Sequence, residues 1–157
     1  MAQKTNAVRI LEQAKVPYEL KEYTVDESDL SATTVANKIA VPIEQVFKTL
    51  VVRGDKTGVL LACLPGDLEL DLKALAALSG NKKAEVVPLK EVQPLTGYIR
   101  GGVSPIGTKK KYPIYVHSTL QEQPCISLSA GVRGCQMLLS PADFIKITNA
   151  HCGNIAK

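Results

Sequence analysis

The sequence predicts an α+β domain in which helices flank a mixed, barrel-like β-sheet. The chain of 157 residues is 45% apolar and 22% charged, which is typical of one globular domain, residues 1–157, with its own hydrophobic core. Capping signals for helices stand near the start, the middle and the end of the chain, and β-rich runs lie between them. Several strands with helices at these places fit an α+β architecture best.

The first third of the chain is predicted to hold a strand between helices. Residues 5–15 form a helix, because a Thr-Asn pair can cap it and apolar residues recur along one face. Residues 16–25, VPYELKEYTV, read as a strand. Residues 31–40, SATTVANKIA, form a second helix with a Ser/Thr cap, and Pro42 suits the first turn of a short third one.

A β-hairpin and two helices are predicted in the middle of the chain. Residues 47–53 and 58–64 are β-rich runs joined by the turn-forming segment GDKT. Both runs are apolar on both faces, which indicates central strands covered on each side. Residues 70–80 form a helix with an aspartate cap and a glycine stop, and another short helix starts at Pro88.

The last third of the chain is predicted to hold three strands and a helix. The strands are residues 113–117, 125–129 and 135–139, each a short run of β-favouring residues. The segment SPAD, residues 140–143, then places serine at a helix cap, proline at the first helical position and aspartate at the third. That order predicts a helix.

Composition excludes several classes of protein. The longest apolar runs are far below the roughly 20 residues of a membrane helix, and the first ten residues lack the apolar region of a secretory signal, so a cytoplasmic protein is expected. The four cysteines show no Cys-x-x-Cys spacing and are expected to be free thiols. With two histidines, we expect no metal and no cofactor. The net charge of +4 permits a polyanionic partner.

Lys48 is an unusual residue within an apolar strand. It shares a strand face with Leu50 and Val52. Such a lysine either lies at the edge of the sheet with its ammonium in solvent, or projects into a cavity. In a cavity, desolvation would lower its pKa, and it could donate hydrogen bonds to an ester or phosphate oxygen.

The segment TGYIRGGVSPIGTKKK, residues 96–111, is rich in glycine and poor in apolar periodicity. Around Gly101, Gly102, Ser104 and Pro105, the glycines let backbone N–H groups turn inward as a concave array of donors. Such an array suits a carboxylate, a phosphate or a developing oxyanion. The alternative is a tight surface loop without a ligand.

Two neighbouring features each allow a structural and a functional interpretation. Lys109, Lys110 and Lys111 directly follow the glycine loop and are either a solvated face or contacts for a nucleic-acid backbone. The segment SAGVRG, residues 129–134, is a glycine-containing turn between two predicted strands. It is either a plain hairpin turn or part of a site.

Four segments together resemble a known family. VFKTLVV, LDLKALA, GYIRGGVSPIGTKK and SAGVRG occur in the order and at roughly the spacing of the YbaK/EbsC family, over about residues 5–150. Members of that family resemble the editing domain inserted in bacterial prolyl-tRNA synthetases. The glycine-loop pattern is most similar to the free-standing YbaK type. The resemblance implies a mixed sheet closed into a barrel with flanking helices.

The resemblance also implies an activity. It is that of a trans-editing aminoacyl-tRNA deacylase, a hydrolase or a lyase, that removes cysteine from mischarged Cys-tRNA(Pro), and also from Cys-tRNA(Cys), beside prolyl-tRNA synthetase. The cysteine thiol would attack its own ester carbonyl, or water would attack directly. The alternatives are a deacylase for another small amino acid such as alanine, a non-catalytic domain that binds tRNA or a synthetase, and a Schiff-base enzyme that uses Lys48.

Individual site positions follow from the same resemblance. The catalytic lysine falls on Lys48. The substrate-binding positions are Thr49, Gly101, Gly102, Ser104, Pro105, Ser129, Gly131, Tyr23 and Ser31. Two positions depart from the family pattern, since Gln136 and His117 stand where acidic residues are common. These departures bear on which substrate is preferred.

Overall fold

The computed structural model describes residues 4–157 and shows an α+β architecture of five helices and eight strands within them. The helices are α1 (Asn6–Gln13), α2 (Ala32–Ile39), α3 (Leu72–Ser79), α4 (Leu89–Thr96) and α5 (Pro141–Thr148). The strands are β1 (Glu19–Glu22), β2 (Phe47–Gly54), β3 (Gly58–Pro65), β4 (Ala84–Val86), β5 (Ile114–His117), β6 (Ile126–Ser129), β7 (Cys135–Leu139) and β8 (His151–Gly153).

The helices begin where the capping residues predict. The side-chain oxygens of Thr5, Ser31, Asp71 and Ser140 each accept a hydrogen bond from a backbone N–H in the first turn of α1, α2, α3 and α5. Such caps satisfy donors that have no partner within the helix. Pro42 precedes a single turn of 3-10 helix instead of an α-helix.

The strands form two separate sheets. The larger sheet has the order β4-β2-β3-β5-β8, and the smaller one has the order β1-β7-β6. The hairpin of β2 and β3 pairs along its whole length, from Phe47 opposite Pro65 to Gly54 opposite Gly58. β5 runs parallel to both β3 and β8, so the larger sheet is mixed, as predicted.

The predicted closed barrel is wrong. β2 of the larger sheet and β6 of the smaller sheet approach each other, but one isolated bridge, Val46 to Ser127, is the only pairing between them among residues 4–157. A barrel needs an unbroken ladder of hydrogen bonds around the ring. Beyond Phe47, the edge of β2 has no strand beside it until β4 begins to pair at Val52, so the ring stays open there.

Three short stretches differ from the sequence-based prediction. The strand predicted over residues 16–25 contracts to β1, because Val16 still donates its N–H to Leu11 at the end of α1. Strands β4 and β8 were not predicted. Each has only three residues, which is too short to show the alternation by which strands are predicted.

Buried side chains hold the two sheets together. The largest buried cluster combines Phe47 and Val51 of β2 with Leu128 and Met137 of the smaller sheet. A second cluster lies on the opposite face of β2, where Val52 packs with residues of β3 and α3. The prediction that the hairpin is covered on both sides is therefore confirmed. None of the helices in the described part of the chain has the length and apolarity needed to cross a membrane.

Candidate active site

A cavity of about 470 Å³ opens where the two sheets fail to join. Its walls come from six parts of the chain: the start of α2, the first half of β2, Gly66 after β3, the β4–α4 region, the glycine loop, and the facing ends of β6 and β7. Most of the lining is apolar. Small-molecule sites commonly combine such a lining with a few polar groups.

The cavity owes its position to the unpaired edge of β2. Val87 donates its N–H to the carbonyl oxygen of Val51 at 3.0 Å, on the side of β2 away from β3. Main-chain groups of alternate residues in an antiparallel strand point the same way. The N–H and C=O of Thr49 therefore point to the same edge, between the bridge at Val46 and the start of β4.

Lys48 lines the cavity and is half-buried. Its Nζ donates a hydrogen bond to the carbonyl oxygen of Gly66 at 3.2 Å. Burial lowers the pKa of the Lys48 ammonium below its ordinary value, and the carboxylates of Asp67 and Glu69 act in the opposite direction. The sequence allowed two locations for the Lys48 side chain, the edge of the sheet or a cavity, and in the structure it lies in the cavity.

Thr49 also lines the cavity, and its hydroxyl contacts the buried thiol of Cys63 at 3.6 Å. Burial raises the pKa of that thiol to about 12, and the Thr49 contact opposes the shift. Cys63 is therefore a protonated packing residue and not a nucleophile. All four cysteines are free thiols, as the sequence predicts.

The glycine loop is divided between the cavity and the protein interior. Gly101 lines the cavity, whereas Gly102, Ser104 and Pro105 are buried and lie outside the lining. Gly102 donates its N–H to Ile99 at 2.8 Å, so this amide belongs to a turn.

Packing explains why residue 102 is glycine. A Cβ atom on Gly102 would lie 3.0–3.1 Å from the backbone of Val132 and Arg133. The hydroxyl of Ser104 accepts the N–H of Ile106 at 3.2 Å. Gly102 and Ser104 thus hold the conformation of the loop through contacts outside the cavity.

The turn between β6 and β7 contributes one lining residue. Ser129 lines the cavity, and its hydroxyl accepts the N–H of Gly131 at 3.1 Å. Gly131 does not line it, and its φ of +102° favours glycine. A Cβ there would also lie 2.8 Å from the ring of Tyr98. The prediction that residues 129–134 form a hairpin turn is confirmed.

The remaining predicted residues divide in the same way. Ser31 lines the cavity while it caps α2. Tyr23 lies outside the lining and packs against the cluster beneath α2. None of the three lysines at positions 109–111 lines this cavity, and Lys111 instead lines a second cavity of about 240 Å³ together with Pro105.

The structure adds residues that sequence reasoning missed. Arg100 and Val103 line the cavity beside Gly101, and the amides of Gly101 and Val103 have no hydrogen-bond partner within residues 4–157. The carbonyl oxygen of Arg100 accepts a 2.8 Å bond from Nε of Arg133, which fixes the loop. The position of Arg100 inside the glycine motif was the available signal.

Charge in the cavity is of one sign. Lys48 and Arg100 are the charged residues among its lining in the described part of the chain, and no carboxylate, histidine or cysteine lines it there. Across residues 4–157, no group of three or more His, Cys, Asp or Glu residues is placed to hold a metal ion. The cavity is therefore suited to an electron-rich or anionic group.

The chain is similar to proteins that edit charged tRNA. Residues 27–147 match the sequence profile of the aminoacyl-tRNA editing domain. EbsC of Enterococcus faecalis, whose name proposes Cys-tRNA(Pro)/Cys-tRNA(Cys) deacylase activity, is 48% identical over 98% of this chain and 93% of its own. The multifunctional Ser/Thr-tRNA deacylase ProXp-y of Escherichia coli K12 is 29% identical over 72% of this chain and 70% of its own.

A solved structure agrees with these sequence matches. A crystal structure described as a proposed trans-editing enzyme for prolyl-tRNA synthetase superposes with a TM-score of 0.85 at 25% identity, over 99% of both chains. The family model covers most of the chain and EbsC nearly all of it. The resemblance found in the four sequence segments is confirmed. The chain belongs to the aminoacyl-tRNA editing domain family.

Proposed function

We propose that the protein is a trans-editing aminoacyl-tRNA deacylase that removes cysteine from mischarged Cys-tRNA(Pro), and from Cys-tRNA(Cys) as well. The observation that carries the proposal is the shared cavity of Lys48 and Gly101, in a chain 48% identical to EbsC. Its volume of about 470 Å³ lies in the range of small-ligand sites and suits an aminoacylated terminal adenosine.

Such an activity meets a physical limit of amino-acid selection. Cysteine and proline are similar in size, and a difference of one methylene in an apolar pocket is worth only about 1–3 kcal/mol. A synthetase that selects proline by shape therefore also charges some cysteine. A second site that cleaves the wrong ester supplies the remaining accuracy.

The lining of the cavity favours the substrate thiol as nucleophile. Water would need a general base, and among the described residues the lining offers no carboxylate, histidine or cysteine, which leaves only Lys48 for that role. A cysteine thiol has a pKa of about 8.5 and provides a few per cent of thiolate near neutral pH. Attack within one molecule also gains a large effective concentration.

The steps balance without a protein nucleophile. The thiolate sulfur attacks the ester carbonyl carbon, and a carbon–sulfur bond forms while the carbonyl oxygen becomes an oxyanion. The bond between that carbon and the ribose oxygen then breaks, and the ribose oxygen takes up a proton. The cysteine leaves as a four-membered thiolactone, which water opens to free cysteine.

Lys48 and the loop amides have separate roles in this scheme. The ammonium of Lys48, placed by its bond to Gly66, favours the thiolate and the oxyanion electrostatically. The unpartnered amides of Gly101 and Val103 are the donors available for the oxyanion. Thr49, Ser129 and Ser31 then contact the aminoacyl group from the other walls.

Release of the amino acid from charged tRNA tests the proposal. We expect purified protein to deacylate Cys-tRNA(Pro) faster than Ala-tRNA(Pro) or Ser-tRNA, and Lys48→Ala to lose at least about a hundredfold in kcat/KM. Lys48→Arg, which keeps the charge in another geometry, serves as the matched control and is expected to retain part of the activity. Full activity of Lys48→Ala would remove this residue from the chemistry.

A substrate without the thiol separates the two routes of attack. 2-Aminobutyryl-tRNA(Pro) has a methyl group where cysteine has sulfur, so it binds similarly but cannot cyclise. We expect its release to stay at the uncatalysed rate under conditions that clear Cys-tRNA(Pro). Release of both amino acids at equal rates would show that water attacks the ester directly.

We further propose that the protein acts beside prolyl-tRNA synthetase. The likeness to a structure described as a trans-editing enzyme for that synthetase supports this partner. Addition of the synthetase to the deacylation assay is expected to lower the KM for Cys-tRNA(Pro) and to leave the KM for Cys-tRNA(Cys) unchanged. An equal effect on both tRNAs would contradict a specific association.

A further inference from the structure

Gln136 is a buried polar residue in the wall of the cavity. It lies on β7, directly opposite Ser129 of β6, and its exposed fraction is 6%. Its Oε1 accepts a hydrogen bond of 2.8 Å from the hydroxyl of Ser127, which is fully buried and lies outside the cavity lining. The amide group of Gln136 is therefore held by a residue that lies outside the cavity.

The hydroxyl of Ser127 fixes which end of the amide faces the cavity. Within residues 4–157, Gln136 is the only side-chain hydrogen-bond partner of that hydroxyl. If the amide were reversed, its N–H group would face the hydroxyl, and the buried hydroxyl proton would lose its acceptor. Satisfaction of both groups therefore requires Oε1 at Ser127 and Nε2 on the other side.

Nε2 of Gln136 is available to a ligand. It has no hydrogen-bond partner in the described part of the chain. Among those residues, Thr119 Oγ1 is the one side-chain nitrogen or oxygen that is both sealed from solvent and unpartnered. Nε2 is therefore exposed to solvent, and this exposure is in the cavity that Gln136 lines.

The neighbouring polar groups are also donors. Ser129 accepts the N–H of Gly131, which leaves its own hydroxyl proton free to donate. The ammonium of Lys48 can donate hydrogen bonds but cannot accept them. No carboxylate lines the cavity among residues 4–157. A bound group is thus met by donors from β2, β6 and β7.

We propose that Gln136 determines substrate specificity by donating a hydrogen bond from Nε2 to an acceptor atom of the bound aminoacyl group. Ser127 is its positioning residue, because it holds the amide in the donating orientation. The acceptor is a lone pair on the α-amine, the thiolate or the ester carbonyl. This inference rests on the proposed function, since it names how the same cavity recognises its substrate.

Two substitutions by residues of similar size test whether residue 136 acts as a hydrogen-bond donor to the substrate. Gln136→Met removes the donor and is expected to lower kcat/KM for Cys-tRNA(Pro) about tenfold, the usual effect of one lost hydrogen bond. Gln136→Glu places an acceptor against an acceptor and is expected to lose more, about a hundredfold. Unchanged activity in the methionine variant, or wild-type activity in the glutamate variant, would overturn the proposal.

A double-mutant cycle tests the positioning role of Ser127. Ser127→Ala is expected to raise KM about fivefold in the wild-type background and to have no further effect in Gln136→Met. Ser79→Ala, which removes another buried hydroxyl that lies outside the cavity lining, is the matched control for lost stability. An equal effect of Ser127→Ala in both backgrounds would mean a purely structural role.

A binding measurement separates this inference from the proposed function. The probes are stable adenosine analogues that carry cysteine, 3-mercaptopropionate or 2-aminobutyrate through an amide at the 3′ position. The side-chain amide resonance of Gln136 is expected to shift with the cysteinyl analogue. A smaller shift with the 3-mercaptopropionate analogue identifies the α-amine as the acceptor, a smaller shift with the 2-aminobutyrate analogue identifies the sulfur, and equal shifts identify the carbonyl oxygen. If the wild type cleaves no charged tRNA, the proposed function is wrong. If the Gln136 resonance does not shift with the cysteinyl analogue, the role proposed for Gln136 is wrong, whether or not the protein is a deacylase.

Discussion

Gly131 shows how a residue outside the cavity lining can support the cavity. Its positive φ carries the chain from β6 to β7, and its missing side chain leaves room for the ring of Tyr98. The hydroxyl of Tyr98 in turn donates to the carbonyl oxygens of Ile106 at 2.8 Å and Gly107 at 3.1 Å. Gly131 therefore supports the glycine loop through one aromatic side chain.

Gly131→Ala is expected to be more destabilising than Gly58→Ala. Both positions have a positive φ, but a Cβ meets Tyr98 at residue 131 and nothing within 4 Å at residue 58. We expect a loss of about 1–3 kcal/mol from overpacking, beyond the backbone cost that both variants share. Urea unfolding measures the difference, and equal losses in the two variants would contradict the role given to Tyr98.

At the scale of elements, the glycine loop joins the cavity to the outer surface. Nε of Arg133 holds the carbonyl oxygen of Arg100, and the exposed side chain of Arg100 lies at the cavity lining. The three lysines that follow the loop lie outside that lining. Arg100 and the three lysines are thus the two candidates for contact with the phosphates of a tRNA, and they differ in their distance along the chain from Gly101.

Salt dependence distinguishes Arg100 from the lysine run. Arg100→Ala is expected to reduce the slope of log affinity for tRNA against log salt by about 0.7–0.9, the value for one lost phosphate contact. The variant with Lys109, Lys110 and Lys111 replaced by alanine is the comparison. A slope that changes only in the lysine variant would favour the tRNA-backbone role first suggested by the sequence.

At the scale of the whole molecule, His117 ties the C-terminal segment to the larger sheet. Its side chain is buried, and Nδ1 accepts the N–H of Ile155 at 3.2 Å. Ile155 is fully buried and its carbonyl oxygen accepts the N–H of Asp71 at 2.7 Å. Burial lowers the pKa of His117 in the folded protein, while the charge of Glu122 acts in the opposite direction.

The lowered pKa of His117 predicts a pH-dependent stability. The unfolded chain, with a histidine pKa of about 6.5, binds a proton before the folded chain does, so the free energy of unfolding falls as pH drops below that value. The loss levels off below the folded pKa. His117→Asn, which keeps an acceptor but does not titrate in this range, is expected to lack this contribution.

Unfolding in urea between about pH 7.5 and about pH 5 tests this linkage. The difference between wild type and variant isolates His117, because the carboxylates titrate in both. Parallel curves for the two proteins would contradict the linkage.

Most of the local structure could be predicted from short-range signals in the sequence. Thr5, Ser31, Asp71 and Ser140 start their helices as predicted, because a cap acts on donors within the next turn of the same chain. The hairpin of β2 and β3 is equally local. The four family segments also brought Lys48 and Gly101 into one hypothesis, and both line one cavity.

The gap between the sheets, and the set of side chains that line it, could not be predicted from the sequence. The gap depends on β2 and β6 sharing one bridge at Val46, and no local pattern encodes how far two distant strands stay together. Gly102 and Gly131 face other segments, and Gln136 faces the cavity, because contacts from Val132, Tyr98 and Ser127 orient them. Local sequence sets backbone conformation, whereas the direction of a loop or a buried amide is set by neighbours distant along the chain.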